Sequence, residues 1–435
     1  MKILSSQLLD EKCYVINHFS GLDIYVIPKK LTTTYALLGT KFGSLDVNFI
    51  DKSGNLIKMP NGVAHYLEHK MFENEDGGDT FEKFARYGAS ANAYTSFLET
   101  RYLFSTSDNF EICLETLLDF VTHPYFTDEN VEKERGIIEQ EIRMYKDNPS
   151  NDLFYTLMGL MYKDHPIRTE ISGSVKSISN ITKEILYDAY NTFYSLDNMV
   201  LCISGDVDPK TVEKIADKML KRSQTKTLVK QYPKEDARVS AKLATIYAEV
   251  SEPMFYMGIK DVDISDDPKV RLRKSIIMDL MIDCMFSVTD PFSRELYESG
   301  EITSNLSFDS DHTKAFSFIT LFASCDDPIC VYEKIKAHIE DVKQKGIDKD
   351  IFEMKKRAAY GAIVSEFDST EDIANSFMDD LFEDTDTFEY AETIRTITLD
   401  EVNSTVKKMF CEDYYALAVA RPADQQEKSE RYENI

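Results

Sequence analysis

Apolar side chains recur at spacings of three and four through residues 110–121, 127–145 and 331–343, and that period predicts amphipathic helices. Three other stretches, 34–42 (TYALLGTKF), 101–107 (RYLFSTS) and 316–323 (FSFITLFA), are short and rich in β-branched and aromatic residues, which predicts strands. Helices and strands do not alternate strictly along the chain. The expected class is therefore α+β with largely antiparallel sheets.

The pattern occurs twice. Residues 181–206 (ITKEILYDAYNTFYSLDNMVLCISGD) read as a helix capped by Thr182 and followed by an apolar strand, and residues 398–423 (TLDEVNSTVKKMFCEDYYALAVARPA) read the same way. At an offset of 217, Glu184 meets Glu401, Ile185 meets Val402 and Phe193 meets Phe410. Matching ends of two halves point to internal duplication. Between the halves, residues 221–238 (KRSQTKTLVKQYPKEDAR) are polar, basic and interrupted by a proline, and read as a connector. The expected organisation is a first half over 1–220, a linker over 221–238 and a second half over 239–435.

Composition narrows the function classes. The chain has 435 residues, 43% of them hydrophobic and 29% charged, as in an ordinary soluble globular protein. No apolar run approaches the roughly 20 residues needed to span a bilayer, and the start lacks a signal-peptide pattern. The cytoplasm is the expected compartment, with no membrane partner. Seven scattered cysteines without a CxxC pair argue against a disulfide framework or a thiolate zinc site. A formal net charge of -26 argues against nucleic acid as a partner, because carboxylates outnumber the phosphate-neutralising lysines and arginines.

Candidate chemistry concentrates in residues 61–76, NGVAHYLEHKMFENED. Pro60 and Asn61 are expected to open a helix through VAHYLEHKMFE. On a helix, residues three and four apart share a face. His65, Glu68 and His69 then project together, while Val63, Leu67 and Met71 make other contacts. Imidazoles at i and i+4 can both reach one zinc ion at about 2.0–2.1 Å, leaving Glu68 free to take a proton from water. H-x-x-E-H is the inverted form of the zincin helix. A third ligand is expected from the helix over 127–145, for which Thr127 is the expected N-cap. Glu134, Glu139 and Glu141 all qualify on spacing, with Ile137, Ile138 and Ile142 expected in the core.

Three motifs in order carry a resemblance: HYLEH, then GASANAYTSFLETRYLF, then EKERGIIEQEIRMYKDNP. Together they resemble the pitrilysin-type inverzincin metallopeptidases, and most closely the mitochondrial-processing-peptidase branch and its bacterial relatives. The resemblance implies His65, His69 and Glu141 as ligands of one Zn2+ per chain, Glu68 as general base and Glu134 as a supporting acid. It implies two homologous halves closing around a chamber, with the zinc in the first. It also implies that Ala91, Asn92 and Ala93, before an expected strand over 100–107, contact a peptide by main-chain pairing.

The second half departs from the first. IIMDLMIDCMF has no histidine, and FEMKKRAAYGAIVSEFD has no matching pair of acids. Family members place an arginine and a tyrosine in a segment resembling L-R-E-x-G-L-x-Y. Here 296–303 reads LYESGEIT, with Tyr297 and Thr303 at those places and Arg294 out of register. The expected function is a zinc endopeptidase subunit that cleaves unfolded, leader or precursor peptides beside a homologous subunit lacking the zinc motif. The alternatives are a self-sufficient oligopeptidase and a non-catalytic structural subunit.

Overall fold

The computed structural model describes residues 1–425 apart from 52, 76 and 223–228. Two compact units are present. The first comprises Met1–Arg143, Thr169–Tyr232 and Ile363–Phe388; the second comprises Met144–Arg168, Pro233–Ala362 and the residues from Glu389 onward. Each unit therefore contains a helix from the opposite half of the chain: Thr370–Phe382 lies in the first, and Pro149–Met161 in the second.

The first unit is built on strands β1 Lys2–Ser6, β2 Glu11–Asn17, β3 Asp23–Pro28, β4 Thr34–Thr40, β7 Ser90–Thr95, β8 Thr100–Thr106 and β9 Met199–Gly205. They form one sheet in the order β1-β2-β3-β9-β4-β8-β7. Its one parallel pair is β3 with β9; every other pair is antiparallel. A small sheet joins β5 Asn48–Ile50, β6 Leu56–Lys58 and β10 Val229–Lys230 in the order β10-β5-β6.

The second unit repeats the plan. Strands β11 Leu243–Ala248, β12 Met254–Asp261, β13 Ser307–His312, β14 Ser317–Ser324 and β15 Tyr415–Pro422 run in the order β11-β15-β12-β14-β13, with β11 and β15 parallel. This order is that of β3-β9-β4-β8-β7. Thr182 and Thr398 cap equivalent helices, Lys183–Phe193 and Leu399–Met409, before equivalent strands. The α+β class and its duplicated, largely antiparallel sheets stand as expected from the sequence.

The central strands read as continuous apolar runs because both of their faces are covered. All seven residues of β4 and of β9 are buried. Residues Phe382 and Met378 of the incoming helix pack directly over Gly39 of β4, where an added Cβ would lie 2.8 Å from the Phe382 ring. In the second unit Leu157 and Met161 pack over Gly258 of β12 in the same way. A strand glycine admits such close approach because it has no side chain.

Parts of the connector are anchored within each unit. Lys230 and Tyr232 both donate to the buried Asp46, at 2.7 and 2.8 Å. Glu235 accepts the main-chain N–H groups of Lys163, Asp164 and His165 and pairs with Lys260. Residues 223–228 of the expected linker lie outside the described residues. Among those described, no helix is long and apolar enough to cross a membrane.

Candidate metal centre

The helix bearing the H-x-x-E-H motif is Val63–Lys70, so Pro60 and Asn61 lie outside it. Its start is set by Gly62, at φ +89°, a conformation open to glycine. A Cβ there would stand 2.4 Å from the Ser172 carbonyl oxygen. The helix thus begins where two backbone segments cross without side chains between them.

Two side chains fix its rotation against the long helix Asp128–Lys146. The Tyr66 hydroxyl donates to the Val131 carbonyl, and the fully buried Lys70 ammonium donates to that of Asn130 at 3.1 Å. The long helix is itself capped reciprocally, Asn130 N–H donating to Thr127 Oγ1 and Thr127 N–H to Asn130 Oδ1. Val131, Glu134, Ile138 and Ile142 form its buried stripe. Ile137, expected in the core, is 48% exposed, because it lies off that stripe.

Glu141 stands two turns beyond Glu134. Its carboxylate reaches both imidazoles, 3.5 Å from His65 Nε2 and 3.4 Å from His69 Nε2. Donor atoms of His65, His69 and Glu141 all lie within 4.8 Å of one another, the one such group of three His, Cys, Asp or Glu among the described residues. Glu134 accepts a hydrogen bond from His69 Nδ1 at 3.0 Å, which leaves Nε2 to face Glu141. Glu139, the third candidate on spacing, faces Arg143 at 3.6 Å instead. Two imidazoles and one carboxylate are a donor set that suits zinc, and three protein ligands leave a position for water or substrate.

The electrostatics of the cluster follow from crowding. Burial opposes charge on His69, yet hydrogen bonds to Glu134 and Glu141 outweigh it and raise its pKa to about 10. Hydrogen bonds from the same two histidines hold Glu141 well below the carboxylate range. Glu134 is pushed up by burial but brought below its ordinary value by His69 and nearby lysines. Glu68 is raised, mainly by burial, with His65 and a hydrogen bond from Thr95 opposing. Buried His65 Nδ1 has no hydrogen-bond partner among the described residues.

Residues SANAYT, expected to precede a strand, are themselves strand β7, antiparallel to β8 and at the edge of the sheet. Alternation puts Ala91 and Ala93 on the face of Thr95, which bonds Glu68, and Asn92 on the opposite face. Asn92 Oδ1 accepts the Ala93 N–H at 2.9 Å. Thr95 was not singled out from the sequence: its hydroxyl donates to Glu68 Oε2 at 2.7 Å. The available signal was its period-2 relation to Ala91 and Ala93.

In the second unit, Asp279 and Asp283 stand four apart on the helix Pro268–Phe286, and Asp283 pairs with Lys355 at 3.0 Å. Arg294 donates to the Thr289 carbonyl, Tyr297 is 53% exposed, and Thr303 donates to Glu252.

A duplicated α+β fold with an inverted zincin helix and a distant glutamate defines an inverzincin peptidase architecture. The chain belongs to the insulinase family, peptidase family M16: residues 54–174 match that family and residues 180–359 match the peptidase M16 inactive domain. It is 37% identical over 418 residues to YmfH of Bacillus subtilis strain 168, named an uncharacterised zinc protease, covering 95% of this chain and 97% of that one. A chain from Alicyclobacillus acidocaldarius, described as M16-like, superposes with a TM-score of 0.91 at 30% identity, covering 96% of this chain and 100% of the other. Pitrilysin shares the fold at TM-score 0.73 and 15% identity, over 97% of this chain and 46% of its own.

Proposed function

We propose that this chain is the zinc-bearing subunit of a cytoplasmic endopeptidase that cleaves unfolded, leader or precursor peptides. The observation that carries the reading is the convergence of His65, His69 and Glu141 beside the buried carboxylate of Glu68. The three donors would hold one zinc ion per chain, which when bound supplies Lewis-acid polarisation of the scissile carbonyl and acidifies water. Glu68 receives the proton of the attacking water and passes it to the leaving amine. Its second oxygen is engaged by Thr95, so one oxygen stays available for that proton. Edge strand β7 offers a main-chain ladder on which Ala91, Asn92 and Ala93 would contact an extended peptide.

The second half lacks an arginine and tyrosine at the places of Tyr297 and Thr303, and Arg294 is tied to its own helix start. A homologous partner without H-x-x-E-H would supply them. The test is peptide cleavage by the zinc-loaded chain alone and after reconstitution with such a subunit. Weak activity that rises on reconstitution, and falls when the partner's arginine is replaced by alanine, is expected. Efficient cleavage by the chain alone would favour a self-sufficient oligopeptidase. Absence of cleavage in both arms, with zinc bound, would favour a structural subunit.

A further inference from the structure

We infer that Thr95 is a positioning residue that holds the general base Glu68 and couples it to the peptide-binding edge. The inference rests on the proposed peptidase reading and adds a role for a residue outside the metal motif. Glu68 is 8% exposed, so water cannot hold its carboxylate in place from all sides. Its ordered hydroxyl partner is Thr95, whose Oγ1 is 2.7 Å from Glu68 Oε2.

Proton bookkeeping makes Thr95 the donor. An ionised carboxylate can only accept. Behind Thr95 stands Thr100, its cross-strand partner in β8, with the two hydroxyl oxygens 3.3 Å apart. Thr100 is fully buried and donates its own proton to the Phe42 carbonyl at 2.9 Å. Thr100 can then only accept from Thr95, and the one Thr95 proton goes to the nearer, charged acceptor, Glu68 Oε2 at 2.7 Å, over the neutral Thr100 oxygen at 3.3 Å. A charge-assisted bond of this kind is about twice as strong as one between neutral groups.

Tyr102 and Tyr194 are buried, with their hydroxyls 2.7 Å apart. The hydroxyls behind Glu68 thus form a hydrogen-bonded support. Thr95 is also the last residue of the edge strand, opposite Thr100 in register. A peptide pairing with β7 would order the residue that aims the base. A threonine kept only to fill β-strand space would be replaceable by valine, its isostere.

The test compares Thr95→Val, which keeps shape and loses the donor, with Thr95→Ser, which keeps the donor. Both are measured as the zinc-loaded, reconstituted enzyme, and melting temperature and zinc content are checked first. The expected result for Thr95→Val is a fall in kcat of roughly 10- to 100-fold with KM within about threefold, as small misplacements of a catalytic group cost on that order. Thr95→Ser should restore kcat to within about threefold. Crystal structures of both zinc-loaded variants give a readout independent of activity: the Glu68 carboxylate should leave its position in Thr95→Val and keep it in Thr95→Ser. Unchanged kcat in Thr95→Val, an equal loss in Thr95→Ser, or an unmoved Glu68 in Thr95→Val would each overturn the inference. If the wild type cleaves nothing, the peptidase reading fails by itself, and the Glu68 position still decides the role of Thr95.

Discussion

His69 Nδ1 lies 3.0 Å from Glu134 Oε1 while the opposite ring nitrogen faces Glu141 at 3.4 Å. One carboxylate thus orients the imidazole, and in the proposed site the other would join it as a ligand. Partners that orient a metal-binding histidine typically contribute 10–100-fold to metal affinity. Glu134→Gln should weaken zinc binding by about that factor, and Glu141→Gln should weaken it further because a ligand is lost. Competition with a chelator measures both. If Glu141→Gln holds zinc as tightly as wild type while Glu134→Gln loses it, the ligand assignment is wrong.

Replacing Glu68 should separate metal from chemistry. Glu68 is none of the three converging donors, and an amide can still accept the Thr95 hydrogen bond. Glu68→Gln should keep zinc and the melting temperature and lower turnover by about 10²–10⁴-fold, the usual worth of general-base assistance. Cleavage near the wild-type rate would remove Glu68 from the mechanism.

Gly62 should be irreplaceable in the scaffold. Alanine there meets both a left-handed φ and the Ser172 carbonyl at 2.4 Å. The combined cost is expected to be about 2–4 kcal/mol. Because the strain falls at the first turn of the metal helix, zinc affinity should drop with stability. Denaturant unfolding and zinc titration of Gly62→Ala check this, and a stability equal to wild type would contradict the close crossing of Gly62 and Ser172.

The second unit should lose stability in acid through His165. Burial, opposed by Glu235, brings its pKa down to about 4, against 6.5 in an unfolded chain. The unfolded state therefore binds a proton that the folded state refuses between those values. Stability from this group is present above pH 6.5 and is lost as pH falls towards 4, by on the order of 2–3 kcal/mol. His165→Gln should flatten that part of the stability–pH curve relative to wild type. Parallel curves from pH 7 to 4.5 would refute the assignment.

Much of this architecture was legible in the sequence because local rules produced it. Periods of three to four and of two mark helices and strands wherever one face is buried. The repeated capped helix and strand, at Thr182 and Thr398, reported the duplication. The i, i+4 histidines of HYLEH pointed to a shared imidazole face because neighbouring turns of one helix bring such residues together.

Other features needed the folded chain. Glu134, Glu139 and Glu141 are alike in spacing, and only the rotation fixed by Tyr66 and Lys70 on the neighbouring helix brings Glu141 to both imidazoles. Ile137 looked like core, yet the same rotation turns it outward. The residues of SANAYT did not by themselves mark an edge strand, although the resemblance implied peptide pairing at Ala91, Asn92 and Ala93, since edges are decided by which strands pair across distant sequence. Thr95 meets Glu68 across a separation of 27 residues. The coverings of Gly39 and Gly258 come from helices of opposite chain halves. Local sequence determines which elements form and which face of each is apolar. Contacts between distant segments determine which polar groups converge, because only packing sets rotation and neighbour.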